Sequence, residues 1–356
     1  MALLVFSLII AAAELRFCWL RATAESSLFL PIEVNSMPKH AMRPRHVGYL
    51  RAQRYARCFF VLSLLALLSL QCARETNDPD SYLRKPESGM KAIPAKGATF
   101  LMGDNSGGTD EQPTHSVTFT YDFWMDSVEV TENLLSSVLR DATTWGLGPR
   151  KPAIAPSMVT IVEFCNARSK LCGLDTVYAY SVYWTQDGPA LMDCTLDYMA
   201  NGFRLPTEAE WEFACRAGTT TRFFWGEDTS EATVKQYAWY EKNADSLLWT
   251  APHSATYGVQ VVAGVAPNPL GLYDMAGNAM EACEDWFAPY DTVSLTDPVA
   301  VPRPRYFSRY KVARGGCYLS SGSEVGSTFR DRTSFDGERG SSSLTVGFRC
   351  VRRSVD

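Results

Sequence analysis

The stretch Leu205-Pro206-Thr207-Glu208-Ala209-Glu210-Trp211-Glu212-Phe213-Ala214-Cys215-Arg216-Ala217-Gly218 constrains the fold most. It is the clearest regular element in the chain, and a long irregular sequence follows it. Thr207 as N-cap and Glu210 three residues on make a capping box, and the first-turn glutamates suit the positive end of the helix dipole. Gly218 supplies the stop. From there to Arg353 the sequence is rich in Gly, Pro and Trp and offers short strands but few periodic segments. Upstream, Val117, Phe119, Tyr121 and Phe123 alternate with Thr118, Thr120 and Asp122, the period of a half-buried strand. Thr131 opens a helix with Leu134, Leu135, Val138 and Leu139 on one face, and a second helix is expected from about Met158 to Lys170. Backbone groups in so much loop need partners other than regular ladders, so disulfides or bound cations are the expected ties.

The 356 residues, 46% hydrophobic and 21% charged, can bury a sizeable core. The net charge of −5 argues against a nucleic-acid partner. It is unevenly spread: eight Lys/Arg and three Asp/Glu precede Ala73, leaving 26 basic and 36 acidic groups, a net of −10, in the remainder. Arg43, Arg45, Arg51, Arg54 and Arg57 precede an apolar run, Phe59 to Leu70, too short to span a bilayer as a helix. The run ends at Ser69-Leu70-Gln71-Cys72, which resembles a bacterial lipobox with Gln71 in place of the usual small residue. The expected organisation is therefore an upstream extension over 1–41 with translation starting at Met42. A signal peptide follows over 42–72, then a linker over 73–90 and one domain over 91–353. Lipidation is expected at Cys72; a plain signal peptide or a membrane tether is the alternative. The body is expected in the bacterial cell envelope, in the periplasm or on the outer membrane, touching membrane through its anchor only.

Several strings fall in the order of one family. Gly97-Ala98-Thr99-Phe100-Leu101-Met102-Gly103, Asp110 to Val117 and Val128-Glu129-Val130-Thr131 come first. Asn201-Gly202-Phe203-Arg204 running into Leu205–Glu212, Gly271-Leu272-Tyr273-Asp274-Met275-Ala276-Gly277-Asn278 and Gly347-Phe348-Arg349-Cys350 follow. Together they resemble the formylglycine-generating enzyme (sulfatase-modifying factor) family. The resemblance implies an α+β fold, a single compact domain related to C-type lectins, with little regular secondary structure.

Members that make formylglycine oxidise a substrate cysteine with oxygen and a copper ion held by two thiolates. Soft thiolates suit Cu(I). Aligned on Gly315-Gly316, the two cysteine positions are Ser320 and Val325 here, so the resemblance fails at its defining residues and argues against copper. Cys317 remains a weak candidate for a displaced nucleophile or ligand. Read as a strand, its odd separation from Ser320 places it on the opposite face. Iron-dependent relatives need a histidine cluster, and the body offers only His115 and His253, which argues against iron. By resemblance Glu324, Arg330, Asp331 and Arg332 lie where the family's substrate groove is lined, with a solvated surface charge or a structural ion pair as the other reading of each.

The resemblance also implies a structural calcium held by the carboxylates of Asp274 and Glu281 and the carbonyls of Gly277 and Ala279, a hard-oxygen set that suits Ca²⁺. A second family calcium site is lost, because Trp239 stands where a ligand Asn would be. By resemblance Cys215 and Cys350 form a disulfide. Cys172 and Cys194 are a second expected pair, closing an insertion loop. Three readings of function follow: oxidative modification of a protein or small-molecule substrate, a non-catalytic calcium-stabilised lectin-like binding module, or an assembly partner. The ligand would be a peptide, a glycan or an envelope protein, with Trp225, Trp239, Tyr240 and Trp249 as possible stacking surface or as core.

Overall fold

The computed structural model describes residues 85–140, 142, 144–154, 156–185, 188–244, 258–298, 310–334 and 343–354. All lie in one compact unit, Ala73–Asp356. The expected extension, signal peptide, Cys72 lipidation site and most of the linker fall outside the described residues, as do His253 and Trp249.

Four small sheets carry the fold. In the first, β4 (Phe123–Asp126) runs between β1 (Met90–Ile93) and β12 (Val351–Arg353), antiparallel to both. In the second, β3 (His115–Thr118) is antiparallel to β2 (Thr99–Met102) and parallel to β8 (Leu295–Thr296). A hairpin joins β5 (Tyr178–Thr185) to β6 (Gly188–Leu196). The fourth has the order β10 (Arg330–Ser334), β9 (Tyr310–Arg314), β7 (Met280–Trp286), β11 (Val346–Gly347).

The expected strand through Phe123 has the right face but is broken in two. Val117, Phe119, Tyr121 and Phe123 are all buried. Pairing lapses only after Phe119, which still bridges to the Lys96–Ala98 segment; beyond it the Thr120 N–H donates to the Asp297 carboxylate at 2.7 Å and its hydroxyl goes to the same group. The helices stand where periodicity put them. Thr131 caps Glu132–Val138, Ser157 caps Met158–Leu171, and Thr207 caps Glu208–Arg216 with the reciprocal Glu210 contact formed. The Glu208–Arg216 helix ends as Gly218 implied, with Ala217 as its left-handed C-cap at φ +50° and Gly218 following at φ +88°; a further short helix, Glu231–Tyr237, has no counterpart in the sequence reading.

Two apolar clusters make up most of the core, one around Trp211 with Phe119, Phe123 and Phe223, the other around Phe164, Phe203 and Phe348. The expected disulfides are not what ties them. Cys215 and Cys350 both carry free thiols. Cys215 belongs to the Trp211 cluster, with its thiol against the Met275 carbonyl at 3.7 Å. Cys350 belongs to the Phe164 cluster, 3.7 Å from the Cys165 sulfur. The two residues thus belong to different clusters. Cys194 is also a free thiol, so the bridge to Cys172 is not formed.

The ties are buried guanidinium–carboxylate pairs. Arg168 grips Asp126 at 2.7 and 2.8 Å, Arg204 grips Glu210 at 2.7 Å twice, and Arg349 grips Glu281 at 2.6 Å twice. Arg314 pairs with Glu212. Such bidentate pairs fix orientation as well as charge.

Candidate functional site

Beyond β9 the chain leaves the sheet instead of continuing as a strand. Gly315 and Gly316 are left-handed, at φ +90° and +69°, and a Cβ on Gly316 would sit 2.4 Å from the Glu324 carbonyl oxygen. The chain then folds into a tight turn in which the Ser320 N–H donates to the Cys317 carbonyl at 2.9 Å. The Ser320 hydroxyl in turn accepts from the Cys317 N–H at 3.1 Å and lies 3.7 Å from the Cys317 thiol. Cys317 and Ser320 therefore face each other, contrary to the strand-based expectation, because the two glycines end the strand before the alternation can apply. Burial pushes the Cys317 thiol up, so it is not held as a reactive thiolate. Val325 is buried in the Trp211 cluster. Neither family cysteine position offers a metal donor of the thiolate kind.

Beside this turn lies a polar groove of about 600 Å³ whose lining includes Glu111, Arg222, Glu227, Ser323 and Thr328. Arg222 donates to the Ser323 carbonyl at 3.1 Å, and Glu227 accepts from the Arg222 N–H at 2.9 Å. The four charged residues that the resemblance sets at the groove divide between structural pairs and surface. Arg330 is buried and committed to Glu208 at 2.8 Å and to the carbonyls of Asp110 and Ala288. Glu324 fixes the turn by accepting from the Ser321 N–H at 2.7 Å. Arg332 and Asp331 remain at the surface, the former 3.4 Å from Asp110. His115 is buried edge-on to Tyr290.

The Asp274–Glu281 loop is built tightly. Gly277 is left-handed, and a Cβ there would fall 2.0 Å from the Trp239 carbonyl oxygen. Asn278 accepts from the Gln260 N–H at 2.7 Å and donates to Glu129 at 3.1 Å. Asp274 is buried; Oδ2 accepts from the Ala263 N–H at 2.7 Å, while Oδ1 has no partner. Burial pushes its carboxyl up to about 6. Glu129, missed by sequence reasoning, lies fully buried in the same neighbourhood and also accepts from the Ala279 N–H at 3.1 Å. Burial, then Asp274 and Glu281, push its carboxyl well up. Its signal was its place inside the Val128–Thr131 string. Three carboxylates thus crowd one Arg349.

The orphaned Asp274 oxygen and the excess of buried negative charge suit a hard cation. Glu281 suits one less: both its oxygens accept from Arg349, and Oε2 also accepts from the Trp211 indole at 2.7 Å. Among the described residues no group of three or more His, Cys, Asp or Glu is arranged to hold a metal ion.

Of the four aromatics weighed as stacking surface or as core, two are packed inside and Trp239 is half-buried. Trp225 is sandwiched between Phe223 and Tyr237, ring centroids 4.5 and 5.0 Å away, and Tyr240 is core.

This arrangement of small sheets, a capped helix and a glycine-led turn is that of a known domain. Residues 81–354 match the sulfatase-modifying factor enzyme 1-like domain, and the chain belongs to that family. It is 33% identical over 194 residues to the formylglycine-generating enzyme of Streptomyces coelicolor, covering 52% of this chain and 56% of that one. It is 27% identical over 212 residues to the chaperone protein LppX of Paenibacillus barcinonensis, covering 56% of this chain and 70% of the relative. It spans only 37% of the serine/threonine-protein kinase pkn1 of Chlamydia caviae, at 28% identity and 72% of this chain. Among solved structures, Treponema denticola variable protein 1 superposes with a TM-score of 0.60 at 27% identity, over 74% of this chain and 95% of that one. The fold is the α+β, single-domain type that the sequence motifs implied.

Proposed function

We propose that this chain is an exported, non-catalytic binding module on the formylglycine-generating enzyme scaffold, taking a peptide or glycan at the polar groove beside the Cys317–Ser320 turn. One observation carries the reading. At the two positions where relatives place cysteines, one side chain is a hydrogen-bond acceptor within a turn and the other is packed in the core. The groove remains, lined by hydroxyls, carboxylates and Arg222, with no buried thiolate aimed into it.

Calcium at the Asp274–Glu281 loop belongs to the same reading. Asp274 and Glu281, with the Gly277 and Ala279 carbonyls, would hold it and neutralise the crowded carboxylates, and Glu281 would yield an oxygen now given to Arg349. Export and anchoring through Cys72 complete it. They are supported by the basic, acid-free leader and the lipobox-like string. Among the described residues no helix is long and apolar enough to cross a membrane.

The deciding experiment is metal analysis and oxygen uptake on the protein purified without chelator, followed by peptide and glycan array binding. Calcium alone, no oxygen uptake, and saturable binding weakened by Arg222→Ala are the expected results. About one copper or iron per chain would overturn the reading in favour of an oxidative enzyme. Metabolic labelling with palmitate should mark the wild-type chain and not Cys72→Ser.

A further inference from the structure

A second concavity, larger than the polar groove, lies elsewhere on the domain. A cleft of about 860 Å³ opens between the Glu132–Val138 helix, the segment after it, the Met158–Leu171 helix, and Trp184 and Pro189 of the β5–β6 pair. Its lining shares no residue with that of the polar groove. Two indoles stand at it with much of their surface in solvent, Trp145 at 59% and Trp184 at 80% exposure. Large aromatics left that exposed, rimming one concavity, mark a contact site more often than chance surface.

The second observation lies at the cleft wall. Glu132 is a cleft residue only 5% exposed. Its Oε2 accepts from the Gly148 N–H at 2.9 Å, but Oε1 is buried with no hydrogen-bond partner. A desolvated carboxylate oxygen without a donor is costly and calls for one. Lys151 feels the Glu132 charge, which raises its ammonium pKa, but burial outweighs this and pulls it down. Glu163 adds a second carboxylate to the lining, and Arg140 is its opposing charge, exposed at the surface.

We propose that this cleft takes a basic side chain, a guanidinium or ammonium, presented by a polypeptide partner. The cation would reach the orphaned Glu132 oxygen, and its apolar stem would lie against Trp145 and Trp184, whose ring faces attract positive charge. The acidic body, at net −10 beyond Cys72, complements such a partner. The site is separate from the polar groove and does not depend on how that groove is used.

The test uses the full chain and three acetylated, amidated tripeptides with Arg, Lys or the neutral isostere citrulline between two alanines. Binding is read by tryptophan fluorescence and calorimetry. Saturable binding of the Arg and Lys peptides is expected, at least tenfold tighter than citrulline. Glu132→Gln and Trp184→Ala should each weaken it at least tenfold, and Arg222→Ala should leave it unchanged. Citrulline binding as tightly as Arg, indifference to both cleft variants, or no saturation by any peptide would overturn the proposal. Trp184 is solvent-exposed, so its variant keeps the test decisive if Glu132→Gln fails to fold.

Discussion

Asp285 sits beneath the first turn of the capped helix, where its Oδ2 accepts from the Glu208 N–H at 2.6 Å. Burial, and then the Glu208 charge, push its carboxyl up to about 7. The folded state therefore holds this proton more tightly than the unfolded one between about pH 4 and 7. Its contribution to stability is fullest below that window and is lost as pH rises through it, by at most about 4 kcal/mol. The melting temperature should fall between pH 5 and pH 8 in low-calcium buffer. In Asp285→Asn, which keeps the acceptor oxygen, that fall should shrink; an unchanged pH slope would remove Asp285 as its source. The thiols give a second outcome at this scale. Treatment with diamide, which takes two protons and two electrons from a dithiol, should yield a Cys165–Cys350 crosslink on peptide mapping. A Cys215–Cys350 crosslink would show that the sulfurs sit otherwise. Sequence could count the seven body cysteines but could not pair them, because pairing depends on which of two core clusters each one joins.

The elements were the most legible part of the sequence. The capping box needs only residues three apart, so Thr207 and Glu210 announced the Glu208–Arg216 helix without tertiary information. Thr207→Ala should cost about 1 kcal/mol in urea unfolding. Glu210→Ala should cost more, about 3–5 kcal/mol, since it strands the buried Arg204 as well as the cap. Equal costs would mean the Arg204 pair adds nothing. The strand at Val117–Phe123 was legible in its face but not in its break, which depends on Asp297, far along the chain. The Cys317–Ser320 turn was misread for a similar local reason. Period-2 reasoning assumes an unbroken strand, and Gly315-Gly316 carried the sign that it ends.

At the scale of the whole molecule, the sequence announced that loops needed internal ties but not their kind. Arginines and carboxylates read as surface charge in a linear string, and only the fold shows Arg168, Arg204, Arg314 and Arg349 to be buried with partners. Their attraction is poorly screened, so stability should change little between 0.05 and 0.5 M NaCl in calorimetry. Steep salt dependence would place the pairs in water. Arg349→Ala should lower stability by about 3–5 kcal/mol and leave the Glu129, Asp274 and Glu281 carboxylates facing one another.

The last strand also governs the timing of folding. β12 pairs with β4, more than two hundred residues earlier in the chain, and Val351 exchanges two backbone hydrogen bonds with Arg204. Phe348 and Cys350, just before it, close the core cluster built on the Met158–Leu171 helix. A growing chain therefore cannot complete this cluster until Phe348 and Cys350 have been made, and contacts of such long range form slowly. Ribosome-bound chains halted before Val346 should be digested readily by protease, while the full chain resists. A domain that stays open until its closing strand is made can still be threaded through a narrow pore as it is made, which is the physical condition any route across a membrane in the unfolded state imposes.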